Sequence, residues 1–119
     1  MLINYSNHPS SLWSKEQIQK AHRQFGEIVD MPFPTVAPNA DEQDIVHLTE
    51  TELIRISTCA SPQEAIIHIM GEMTLTYALV NKLKAIGYCC VASTTYREVY
   101  EECPNKKIVS FQFVRFRCY

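Results

Sequence analysis

Two short apolar runs, Ala65–Met70 and Tyr88–Ala92, lack the alternation of polar and apolar residues that marks a half-buried strand. A strand of that kind is covered on both faces, so it belongs in the middle of a sheet flanked by helices. Between the runs, Gly71-Glu72-Met73-Thr74 leads straight into a stretch with Leu75, Leu79, Val80, Leu83 and Ile86 at helical spacing. Lys82 and Lys84 fall near its end and Gly87 follows it, as expected of a helix carboxyl terminus. The two runs and the helix between them form a β-α-β unit, whose strands must be parallel.

The upstream segments repeat the same unit. Leu2–Ser6 predicts a strand, and the turn formers Asn7-His8-Pro9-Ser10-Ser11 predict a loop. Ser14 with Gln17 three residues on forms a capping-box pattern that opens a helix carrying Ile18, Ala21, His22 and Phe25, stopped by Gly26. Glu27–Met31 predicts a second strand, ended by Pro32 and Pro34. Asn39 or Asp41 then caps a helix with Ile45, Leu48, Leu53 and Ile56 on one face, ending near Cys59. Downstream, Tyr96–Glu102 and Ile108–Tyr119 alternate around Pro104-Asn105-Lys106-Lys107 and predict an antiparallel hairpin. The alternation slips between Phe113 and Val114, which marks either a β-bulge or the end of burial on one face.

The order β-α-β-α-β-α-β plus a hairpin defines an α/β protein, a Rossmann-like three-layer sandwich with a mainly parallel sheet and a C-terminal antiparallel β-hairpin. A chain of 119 residues holds one such domain. Eleven Lys and Arg against thirteen Asp and Glu give a net charge of −2, which argues against broad binding to duplex nucleic acid. The opening residues turn polar too early for a secretion signal, and no apolar run approaches the roughly 20 residues of a membrane span, so the expected location is cytoplasmic. Five cysteines, in mostly apolar surroundings and without Cys-x-x-Cys spacing, read as thiols of a reducing compartment rather than zinc ligands.

Ligands of open α/β sheets bind beyond the carboxyl ends of the strands. In this chain those ends are Ser6–Ser11, the segment after Met31, Gly71–Thr74 and Ser93–Thr95. The backbone N–H groups around Gly71, Met73 and Thr74, with the hydroxyls of Thr74 and Thr76, form a candidate phosphate cradle. Glu72 would repel an anion unless it meets a ribose hydroxyl, a base amino group or a cation, and in that geometry it is a candidate catalytic residue. The structural alternative makes Gly71 a tight-turn residue and Thr74 a helix cap. Neither G-x-G-x-x-G nor G-x-x-x-x-G-K-[ST] occurs, which disfavours dinucleotide binding and P-loop hydrolysis.

Ser6, Asn7, Ser10 and Ser11 are candidate ligand contacts beside His8, which can donate to a phosphate or act as general acid or base. Trp13 suits base stacking, or packing of the loop on the sheet. Ser93, Thr94 and Arg97 complete the candidate binding set. Arg115 and Arg117 can reach an anion or a partner subunit, or simply solubilise the hairpin. His68, inside an apolar strand, reads as a hydrogen-bonded core or interface residue.

Asn4-Tyr5-Ser6-Asn7-His8-Pro9-Ser10, Gly71-Glu72-Met73-Thr74-Leu75-Thr76 and Phe113-Val114-Arg115-Phe116-Arg117, placed on these elements, resemble the small CRISPR-associated Rossmann-fold proteins, the CARF-like group that includes single-domain ring nucleases. The resemblance implies a homodimer acting in antiviral defence, whose strand-end edges form one pocket for a cyclic oligoadenylate. It implies sensing of the ring, or its cleavage by 2′-OH attack on the neighbouring phosphate, with no metal or cofactor. His8 would then carry a proton. This chain has no Lys in either loop, where Glu72 adds an acidic group. A non-catalytic dimeric interaction or sensor module, or an enzyme acting on another small phosphorylated substrate, are the other readings.

Overall fold

The computed structural model describes residues Met1–Tyr119. Three β-α crossovers build the parallel part of one five-stranded sheet. Strand β1 (Leu2–Ser6) leads through a 3-10 turn at Ser10–Leu12 to helix α1 (Lys15–Phe25), then to β2 (Ile28–Asp30). Helix α2 (Glu42–Cys59) leads to β3 (Ile66–Met70), and α3 (Met73–Ala85) to β4 (Cys89–Cys103), which turns into β5 (Lys106–Cys118). The strand order is β2-β1-β3-β4-β5, with β1 to β4 parallel and β5 antiparallel to β4. No helix is long and apolar enough to cross a membrane.

Local chemistry sets the helix ends. The Ser14 side chain accepts from the Gln17 N–H at the start of α1, and Gly26 ends it at φ 85°, a left-handed conformation that favours glycine. Asp41 and Asp44 form a reciprocal capping box at α2.

Period-two alternation divides the strands between two cores. Ile3, Tyr5, Ile67, Ile69 and Cys90 pack with Ile56 of α2 and Leu75, Leu79 and Leu83 of α3. Leu2 and Val91 point the other way, against Ala21 of α1 and Phe113 and Phe116 of β5, with Trp13, Phe25, Ile28 and Ile66 at the margin. Cys90 alone among the cysteines is buried; the other four are exposed, contrary to the apolar surroundings expected for most of them.

One feature of the hairpin differs from expectation, and another decides between the two alternatives for the slip at Val114. Ser93–Thr95 does not end a strand, because β4 continues without a break to Cys103 and its polar residues stay in the ladder with β5. The slip at Val114 is a bulge: Thr94 pairs with Arg115 and Thr95 with Phe113, which leaves Val114 as the extra residue. Beyond Phe113, which still packs on α1, the hairpin leaves Tyr96, Tyr100 and Phe111 exposed. The radius of gyration is accordingly 16.0 Å, against about 13.5 Å for a compact chain of this length.

Candidate functional site

The strand order changes direction at β1, with β2 on one side and β3 on the other, so the crevice beyond the carboxyl ends of β1 and β3 is the topological place for a site. Ser6 pairs with Met70 in register, and the connections that follow them open on the same rim.

On the α1 face of this rim, the strand positions after Leu2, Ile66 and Val91 turn from apolar to polar. Asn4 and Ser6 on β1 and His68 on β3 are all buried, and Ser93 on β4 is half-buried. They are joined to one another. Asn4 Nδ2 donates to Asp30 Oδ1 at 2.8 Å and to the His8 carbonyl at 2.9 Å. Its Oδ1 accepts from the Ser6 hydroxyl at 2.7 Å and lies 2.9 Å from His68 Nδ1. His68 Nε2 lies 3.2 Å from Ser93 Oγ. Burial, with a smaller push from the nearby His8 imidazole, lowers the His68 pKa from 6.5 to about 4. The ring is therefore neutral at physiological pH. Burial would raise the Asp30 pKa, but hydrogen bonds from the Ser10 hydroxyl, Asn4 and the Ser10 N–H outweigh it and hold the carboxyl below its usual value.

Ser6, His68 and Ser93 of this row line a cleft of about 580 Å³, with Asn4 behind them. Trp13, Phe111 and Phe113 add aromatic surface, and His8 and Thr95 add polar groups. Trp13 packs on the wall, its ring 5.2 Å from that of His68 and its Nε1 donating to the His8 carbonyl.

The candidates after β1 separate into two groups. The side chains of Asn7, His8 and Ser11 are exposed and make no hydrogen bond within the chain, and of the three His8 lines the cleft. Ser6 and Ser10 are engaged within the chain: Ser6 is buried within the polar row, and the Ser10 N–H and hydroxyl both donate to Asp30. These two serines shape the loop instead of presenting a donor.

The Gly71–Thr76 segment differs more from expectation. Glu72, not Thr74, is the N-cap of α3, and its carboxylate accepts from the N–H groups of Thr74 and Leu75 at 3.0 and 2.8 Å and from the Thr74 hydroxyl. Those bonds, led by the one from Leu75, lower the Glu72 pKa. The proposed cradle is thus filled by the chain's own anion, and the Glu72 carboxylate and Thr74 hydroxyl are engaged in a cap. Gly71 is required by packing, since a Cβ there would lie 2.5 Å from the Phe33 ring. Thr76 Oγ1 is sequestered without a partner, beside an apolar hollow of about 450 Å³ lined by Met70, Met73, Tyr77 and Tyr119.

Ser93 and Thr95 line the cleft, whereas Thr94 points away and donates to the Arg115 carbonyl. Arg97 lies on the exposed hairpin opposite Phe111. Asn4, Asp30 and His68 were not expected to share a site with Ser93. Their signal was parity, since each polar residue falls on the face of its strand that Leu2, Ile66 and Val91 occupy one turn of the pleat earlier.

The chain is thus an α/β domain with a polar, aromatic-walled cleft at the carboxyl ends of its parallel strands. It belongs to the Uncharacterized protein MJ1673 family, whose model matches residues 1–117. No curated protein and no solved structure gives a significant match.

Proposed function

We propose that this chain is a cytoplasmic CARF-like protein that binds a cyclic oligoadenylate as a homodimer in CRISPR-associated antiviral defence, and that it cleaves the ring without metal. The observation that carries the reading is the pairing of Ser6 with Met70, which brings the two rim connections side by side where the sheet order changes direction. Four parallel strands with helices on both faces support the finer fold assignment, a Rossmann-like sandwich.

Because Glu72 fills the α3 cap, ring phosphates meet the free side chains of Asn7, His8 and Ser11, and the Arg97 guanidinium of either copy. Trp13 and Phe111 supply faces for adenine. A ribose 2′-OH gives its proton to water and attacks the adjacent phosphorus, the 5′ oxygen leaves, and the product is a linear chain with a 2′,3′-cyclic phosphate. His8 protonates the leaving oxygen, and holding the reacting groups in line supplies much of the rate. The bare two-stranded arm supports the dimer, since a lone hairpin is marginal in water and a second copy would cover Tyr96 and Tyr100, which share one face of it.

Incubation with rings of three, four and six adenylates, with and without chelator, tests the reading. It expects linear products that survive chelation and a rise in melting temperature that grows with ring concentration. His8→Ala should slow cleavage far more than it weakens binding. Inertness toward all three rings, with no thermal shift, defeats it. The exposed arm favours a second reading, a non-catalytic dimeric interaction module, which expects Tyr96→Asp to dissociate the dimer in sedimentation while no ring alters stability.

A further inference from the structure

The hydrogen-bond directions in the polar row are determined. Asn4 Nδ2 faces two acceptors, Asp30 Oδ1 and the His8 carbonyl, so its Oδ1 must be the atom that faces His68. An amide oxygen carries no proton, so His68 Nδ1 bears the hydrogen and donates it. Nε2 then holds a lone pair, and that lone pair faces Ser93 Oγ at 3.2 Å. Of the two acceptors near the Ser93 hydroxyl, imidazole nitrogen is far stronger than the Met70 thioether at 3.1 Å. Hydroxyl, imidazole and amide thus stand in the order of a nucleophile, its base and the group that orients the base, the arrangement shared by unrelated acyl-transfer enzymes.

We propose that Ser93 is a nucleophile for acyl transfer, with His68 as its general base and Asn4 as the positioning residue, acting on uncharged carboxylic esters.

Two further observations point to the substrate. The Ser93 backbone N–H lies 3.4 Å from the Met70 sulfur. A donor held by so weak an acceptor turns to an oxyanion at little cost, and the nucleophile's own N–H is where such an anion forms. The cleft in front of Ser93 contains no Lys, Arg, Asp or Glu, and Leu12, Trp13, Met70, Phe111 and Phe113 line it. Such a wall accepts an apolar acyl chain, with His8 at its rim as the one exposed ionisable side chain.

In the first half-reaction Ser93 Oγ bonds to the carbonyl carbon and its proton passes to His68 Nε2. The carbonyl electron pair moves to oxygen, beside the Ser93 N–H. Collapse of this intermediate breaks the ester C–O bond, and the departing alcohol takes the proton from Nε2. Water then attacks the acyl-serine by the same route, releasing the carboxylic acid and restoring Ser93. Burial keeps the resting His68 unprotonated but also weakens it as a base, so the imidazolium formed in each half-reaction depends on the Asn4 Oδ1 that accepts from its Nδ1.

This assignment stands apart from the nucleotide-ring reading and is tested without a nucleotide. The full chain is treated with an alkyl fluorophosphonate and followed by intact-mass and peptide mass spectrometry, in parallel with 4-nitrophenyl butyrate turnover. The expected result is one adduct per chain, on Ser93, with loss of fluoride, and a labelling rate nearly flat between pH 6 and 8. A serine without a base would instead label about tenfold faster per pH unit. Ser93→Ala should abolish the adduct, and His68→Gln should slow labelling by about 100-fold or more. Absence of an adduct on folded wild-type protein, an adduct elsewhere, or equal labelling of Ser93→Ala overturns the proposal. Ring binding measured on the same samples reports on the nucleotide reading separately.

Discussion

Acidification tests the buried polar row directly, through His68. The unfolded chain takes up a proton at this histidine as pH falls through about 6.5, whereas the folded chain resists until about 4, because burial excludes the imidazolium. Between those values the unfolded state binds more protons, so stability rises with pH. The contribution is complete above about pH 6.5 and is lost as pH falls toward 4. Its slope reaches about 1.4 kcal/mol per pH unit, and the whole effect is roughly 3 kcal/mol, a large fraction of the 5–15 kcal/mol that holds a typical domain together. With a urea m-value of about 1.5 kcal/mol/M, the unfolding midpoint should fall by nearly 2 M between pH 7.5 and 4.5. His68→Gln retains an amide donor and acceptor but cannot titrate. Its midpoint should be lower at pH 7.5 and should change far less with pH. The other ionisable groups, Asp30 and Glu72 among them, are common to both proteins, so the difference between the two curves isolates His68. Parallel curves would show that the ring is hydrated in the native state, and the account of the row would fail.

Gly71→Ala should destabilise the protein by about 1–3 kcal/mol in urea unfolding, because the new methyl group overlaps the Phe33 ring, and Phe33→Leu in the same chain should recover much of the loss. Glu72→Ala removes the α3 cap and should cost about 1 kcal/mol at neutral pH, seen as a lower melting temperature. Since the cap depresses the Glu72 pKa, its contribution is present above the unfolded value and disappears as pH falls through the folded one, so the deficit of Glu72→Ala should vanish in acid. Tyr5→Phe deletes the hydroxyl that donates to the buried Glu52 carboxylate at 2.6 Å, leaving Arg55, at 3.0 Å, as its remaining side-chain partner. A loss of about 1–3 kcal/mol in urea unfolding is expected.

The helices were legible because their limits depend on nearest neighbours: Ser14 and Gln17, Asp41 and Asp44, and Gly26 act within one turn of the chain. The hairpin was partly hidden. Ser93-Thr94-Thr95 has the composition of a loop, yet antiparallel pairing to β5 keeps it in a strand, and that pairing joins residues about twenty positions apart. The site was hidden for a related reason. A single Asn4 or His68 in an apolar run carries no mark of function, and its meaning depends on register between strands distant in sequence. Glu72 shows the converse failure. The segment was recognised as a helix start with free N–H groups, but a glutamate at the N-cap is long enough to fold back and satisfy them itself.

The two faces of the sheet show why the chemistry collects where it does. Toward α2 and α3, Ile3, Tyr5, Ile67, Ile69 and Cys90 maintain a continuous apolar layer, and the one acidic side chain buried against it, Glu52, is held by Tyr5 and Arg55. Toward α1, the same strands begin apolar, at Leu2, Ile66 and Val91, and turn polar at Asn4, Ser6, His68 and Ser93, with Met70 at the end of β3 the apolar exception. Apolar residues at those four polar positions would strip the Asn4 donor from Asp30 Oδ1 and the Ser6 acceptor from the His8 N–H, so part of the row holds the loop after β1. The proposed role of Ser93 adds a further requirement, a fixed proton on His68 and a directed lone pair toward Ser93, held at the wall of an open cleft. That requirement also explains Asp30 and Ser10, whose mutual bonds set the Asn4 amide from outside the cleft without touching a ligand.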